Sequence, residues 1–181
     1  MTTSHFNAFT PVELSVPHYV QETDVWCWAA VARMVIAYFR GEEGTPPQSR
    51  LVELILDLPE GHCARSPMPV ECAQASYSFF VNMLMRVGGA RHVRELASMD
   101  ALGVYSALAM RNVIVAEMRI AEDMTHVVVM RGVWVRDRQA FTIDVLVNDP
   151  SPLIGKPVWM PYADLIPAIE RLFVIYRDAP A

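Results

Sequence analysis

Lysine is nearly missing from this chain of 181 residues: Lys156 stands alone, and arginine supplies the rest of the 15 basic residues. The arginines form no basic stripe, the formal net charge is −5 and the pI is near 5.5. Holding nucleic-acid phosphates needs clustered positive charge, so a nucleic-acid binder is excluded. Long apolar runs are missing too. None approaches the roughly 18 consecutive apolar residues of a membrane span, so no membrane insertion is expected. The N-terminus lacks a basic segment followed by an apolar one, so no general secretory signal peptide is expected. Internal repeats and low-complexity tracts are lacking as well. Cysteine is scarce: with only three, any disulfide leaves one thiol over.

What is plentiful is apolar surface. With 53% hydrophobic and 19% charged residues, the chain can bury a substantial core. One compact domain over residues 1–181 is expected, with residues 1–13 as an extended N-terminal arm.

The most informative stretch is Gln21-Glu22-Thr23-Asp24-Val25-Trp26-Cys27-Trp28-Ala29-Ala30. Residues from Val31 to Phe39 are apolar on almost every face, which predicts a buried helix that ends near Gly41. With Thr23 or Asp24 as N-cap, Cys27 falls in the first turn. Unpaired N–H groups and the macrodipole favour a thiolate there, and the thiolate is the nucleophilic form.

A nucleophile needs a base. His126 leads an apolar, β-branched run, Val127-Val128-Val129-Met130, that predicts a buried strand. An acceptor to orient the imidazole is offered by Asn148 or Asp149, where a second strand-like run from Phe141 to Val147 stops at Pro150. If that strand continues, the two side chains point to opposite faces and only one meets His126; Asp149 is the choice. Gln21, six positions before Cys27, could donate its amide to an oxyanion together with the Cys27 N–H. One cysteine with a distant histidine and an acid or amide is a pattern for nucleophilic catalysis.

These pieces resemble the papain-like cysteine peptidases, and in particular a compact bacterial branch that includes bacteriocin-leader peptidases, staphopain-type enzymes and plant-pathogen effector proteases. The resemblance runs over roughly residues 14 to 177. It implies an α+β papain-like fold, with helices carrying the nucleophile packed on a C-terminal antiparallel sheet. It also implies Cys27 as nucleophile, His126 as base, Asp149 as orienter and Gln21 as oxyanion donor. Trp26, Trp28 and Asn148 are expected to border the substrate, although paired tryptophans also suit a core. No metal or organic cofactor is needed. The substrate would be a protein or peptide, cut after paired glycines if this chain behaves like the bacteriocin-leader branch. A cytoplasmic enzyme, or an effector or interbacterial toxin delivered into a target cell by a specialised secretion system, is the expected setting. A toxin would bring a cognate immunity or inhibitor protein. Two other classes stay open: deamidation or acyl transfer through the same thioester, and a catalytically silent peptide-binding module.

Cys63 and Cys72, with His62 and Glu71, match no compact zinc spacing. Free thiols are expected, with a disulfide as the alternative in an oxidising compartment. His18 reads as a loop surface residue that could line the cleft. Further elements are expected as a short strand or extended segment at 16–20, helices at 49–56, 73–87, 100–110 and 162–170, and strands at 112–118, 126–135, 140–148 and 172–176.

Overall fold

The computed structural model describes residues 9–73 and 77–176, so most of the expected N-terminal arm lies outside the described residues. In chain order the elements are β1 (Val12–Glu13), α1 (Cys27–Arg40), α2 (Gln48–Leu56), α3 (Tyr77–Arg86), β2 (His92–Leu96), α4 (Ala101–Ala109), β3 (Val113–Ala121), β4 (Met124–Asp137), β5 (Thr142–Asn148), β6 (Val158–Pro161), α5 (Tyr162–Leu165) and β7 (Ile169–Tyr176). Single 3₁₀ turns stand at Val70–Ala73 and Ile166–Ala168.

The sheet is antiparallel at every pairing, in the order β2-β7-β3-β4-β5-β6, and β1 adds to β4 at Val12↔Val133. Its centre is the part the sequence marks most clearly. Val113–Ala116, Val128–Met130 and Ile143–Asn148 are all buried, which agrees with near-continuous β-branched runs covered on both faces. α1 to α4 precede β3, β4 and β5, the strands at the centre of the sheet, and the fold is an α+β papain-like one.

α1 is the central helix. Ten of its residues are buried, Trp28 to Ala32 and Met34 to Ala37 among them, and it packs on β4, α2 and α3. A helix apolar all round has no face for water and must lie inside. It stops at Gly41, whose φ of +85° suits glycine and whose N–H closes on the Ala37 carbonyl. Its start differs from expectation. Trp26 is the N-cap, its N–H bonded to the Thr23 carbonyl, so Cys27 is the first helical residue and neither Thr23 nor Asp24 caps it.

Other boundaries moved for identifiable reasons. Residues 16–20 form no strand: Asn148 and His18 side chains hold that stretch to the chain after β5. The helix expected to reach Glu170 breaks at Pro167, and β7 begins at Ile169, where the chain pairs with β3. α4 begins as expected at Asp100, whose side chain accepts from the Gly103 N–H at 2.7 Å.

The free-thiol expectation for Cys63 and Cys72 is overturned. They form a disulfide with Cα atoms 5.7 Å apart. The Cys63 N–H is held by the buried Glu53 carboxylate at 2.9 Å, and His62 Nε2 meets Glu71 Oε1 at 2.7 Å across the same loop. Those contacts fold the stretch back on itself, which residue spacing does not reveal. No described helix is long and apolar enough to cross a membrane.

Candidate active site

Cys27 enters from the N-terminus of α1, His126 from the start of β4, and Asp149 from the first residue past β5. The register explains their meeting. β4 pairs with β5 at Val129↔Asn148, which sets the end of β5 beside the beginning of β4, while α1 lies across β4. His126 Nε2 lies 2.7 Å from Asp149 Oδ1, and the imidazole also interacts electrostatically with Cys27. With Nε2 taken by Asp149, Nδ1 is the ring nitrogen left for sulfur. Cys27 is the free thiol of the chain, since the other two cysteines are paired.

The electrostatics follow from those contacts. Burial disfavours an imidazolium at His126, but the hydrogen bond and charge of Asp149, together with the interaction with Cys27, outweigh it and push the pKa up to about 9. Burial likewise opposes the charge of Asp149. The His126 hydrogen bond, the Ser151 N–H at 2.8 Å and the positive charges of His126 and His18 hold its carboxyl below the usual range all the same. Asp149 is therefore ionised and can only accept, so His126 Nε2 carries the hydrogen.

Asn148 and Asp149 do point apart. Asn148 is fully buried, accepting from Arg131 Nε at 2.9 Å and donating to the Val16 and Pro17 carbonyls. Its expected place at the substrate is corrected: it anchors the chain before α1. Trp26 is corrected as well. It is 2% exposed, with its indole N–H on the Cys72 carbonyl at 2.8 Å, and so belongs to the core. Trp28 is buried yet borders the cleft.

Gln21 sits on the chain leading to Cys27, its main-chain N–H on the Pro150 carbonyl at 2.8 Å. Its side-chain amide donates one N–H to the Thr23 carbonyl at 2.9 Å. Gln21 Oε1 and Thr23 Oγ1 are buried without a partner.

A cleft of about 560 Å³ opens from Cys27 between the helices and the β3–β4 hairpin. Trp28, Phe80, Val127 and Phe173 give it an apolar wall, and Asp24 and Asp123 line it as well. Glu117 and Arg171, paired at 2.7 Å, also line it. The sequence does not reveal this wall, because nothing in the local pattern distinguishes Phe80 or Phe173 from an ordinary core residue. His18 was undervalued too. Its Nε2 lies 2.7 Å from the Asp149 carbonyl, and no local pattern signals a contact spanning 131 residues.

A free thiol at a helix N-terminus, an imidazole hydrogen-bonded to a carboxylate and a groove beside them, on a helix-and-antiparallel-sheet scaffold, agree with a cysteine peptidase of the papain-like class. A family model described as papain-like cysteine protease AvrRpt2 matches residues 10–157, and the chain belongs to that family. No curated protein matches the sequence. Among solved structures the peptidase domain of Streptococcus ComA, a bifunctional ABC transporter of a quorum-sensing pathway, is similar at a TM-score of 0.64 and 12% identity, covering 90% of this chain and 99% of that one. A C39-like peptidase from Bacillus anthracis gives 0.61 and 14%, over 94% of this chain and 100% of the other. Procathepsin L 3 of the Tenebrio molitor larval midgut gives 0.60 and 10%, over 97% and 72%. These likenesses show the shared fold.

Proposed function

We propose that this peptidase hydrolyses peptide bonds in an extended protein substrate through a Cys27-His126-Asp149 triad. The observation that carries the reading is the 2.7 Å contact of His126 Nε2 with Asp149, in an imidazole whose charge Cys27 also favours. The Cys27 thiolate attacks the scissile carbonyl, and the carbonyl electrons move onto oxygen. The Cys27 N–H, free at the first position of α1, and the Gln21 side-chain amide stabilise that oxyanion. His126 gives its Nδ1 proton to the departing amine as the C–N bond breaks. Water then attacks the thioester, His126 takes up its proton, and the thiolate leaves. Asp149 holds the imidazole in the tautomer that presents Nδ1 to sulfur and supports its charge. A substrate side chain next to the scissile bond occupies the cleft against Phe80 and Phe173.

The setting that accompanies this reading is an effector or interbacterial toxin delivered into a target cell, with an immunity protein that covers the Cys27 cleft. The likeness of the Gln21, Cys27, His126 and Asp149 motifs to effector proteases supports it.

N-terminal peptide mapping of a lysate treated with wild-type protein or with Cys27→Ala tests the chemistry. New N-termini made by the wild type alone are the expected result, and the residues before them report the preferred bond, paired glycines included. Release of ammonia without new termini would replace hydrolysis of the backbone with deamidation.

A further inference from the structure

We infer that His18 is a positioning residue of the active site, clamping the main chain of Asp149 so that its carboxylate stays on His126. This rests on the triad proposed above. Asp149 lies just past the end of β5, where the ladder no longer holds its backbone. Its carbonyl is instead taken by His18 Nε2 at 2.7 Å. A carbonyl can only accept, so Nε2 of His18 carries the hydrogen.

The clamp belongs to a longer seam. Asn148 Nδ2 donates to the Val16 and Pro17 carbonyls, His18 donates to Asp149, and the Gln21 N–H donates to the Pro150 carbonyl at 2.8 Å. Residues 16–21 thus run along residues 148–150, contact after contact. The acid that orients the base and the amide that faces the oxyanion hang on the same seam, and His18 sits between them. Loss of its hydrogen bond frees Asp149 to swing and lets Gln21 shift with it. A displacement of about 1 Å in such a group costs up to about 100-fold in rate.

The chemistry of the side chain makes the idea testable by mimicry. Glutamine places an amide N–H near the position of histidine Nε2. Asparagine falls short of it, and phenylalanine fills the space with no donor.

The experiment measures the second-order rate of Cys27 alkylation by iodoacetamide from pH 5 to 9, which needs no knowledge of the substrate. It uses wild type, His126→Ala, His18→Gln, His18→Asn and His18→Phe, with thermal melts alongside. Expected are near wild-type rates for His18→Gln, and rates at neutral pH lowered about 10-fold for His18→Asn and His18→Phe. On a peptide substrate the same two variants lose kcat with KM held within about 2-fold. If His18→Phe fails to fold, the Gln and Asn pair decides. Equal rates in those two overturn the proposal, as do wild-type rates in a folded His18→Phe. If His126→Ala alkylates like wild type, the triad itself is wrong. A slowed His126→Ala beside unaffected His18 variants overturns the role of His18 alone.

Discussion

At His126 burial works against the charge, and its contacts with Asp149 and Cys27 win. The imidazolium persists up to a pKa of about 9, against an ordinary value of 6.5. A raised pKa in the folded state means the stabilisation is complete below about pH 6.5 and is lost as pH climbs through about 9. The difference in melting temperature between wild type and His126→Ala should therefore shrink steadily over that interval, as thermal unfolding at stepped pH would show. A constant difference would mean that the imidazole is not charged in the folded protein. For Asp149 the sign is opposite: its carboxyl is held low, so its contribution is present above about pH 4 and lost on further acidification. Activity follows the same groups. Replacing Asp149 by Ala removes a hydrogen bond and a charge from His126, so the alkaline limb of kcat/KM should move down from about 9 towards 6.5. The rate should fall by about 10²-fold. Stopped assays from pH 5 to 10 would check both, and an unmoved alkaline limb would show that Asp149 does not set the base.

Among the elements, α1 carries the chemistry and the loop from Cys63 to Cys72 supports its first turn. Trp26, the N-cap, spans the gap by placing its indole N–H on the Cys72 carbonyl, and Ala73 continues from there into the wall of the cleft. Closing a loop of this size with a disulfide limits the unfolded chain and contributes roughly 2–3 kcal/mol. Cys63→Ser with Cys72→Ser should lower the unfolding free energy by about that much in denaturant titrations, with the slope little changed. The elements legible in the sequence were those whose own residues dictate them. α1 has apolar residues on every face, α4 has Asp100 as its cap, and β3, β4 and β5 are β-branched runs. The elements missed depend on partners. β2, His92 to Leu96, has two charged residues among its five and is extended because β7 offers an edge. β6 is four residues ending in proline and exists by pairing with β5.

For the whole molecule, the sequence singled out Cys27, His126 and Asp149, which the fold brings to one place, but not the surroundings of Asn148 and Trp26. The period of two along β5 separates Asn148 from Asp149, and that much follows from sequence. That Asn148 would be sealed against Arg131 and residues 16–17 does not, because both partners come from distant parts of the chain. Arg131 ties these regions together, reaching Asn148, Glu13 and the Leu14 carbonyl. Arg131→Ala would leave buried Asn148 Oδ1 without its donor and should cost about 1–3 kcal/mol, measured by chemical denaturation. Retention of full stability would show that the seam holds without its outer anchor. The seam has another consequence, in time rather than space. The clamp between His18 and Asp149 closes a loop of 131 residues, and contacts so distant in sequence form late because the entropy of closure is met before they repay it. Since β5 and the residues just beyond it are made after most of the chain, a growing polypeptide can bury α1 and lay down much of the sheet while Cys27 still lacks its full set of partners. The seam between residues 16–21 and 148–150 can close only after Pro150 has been made.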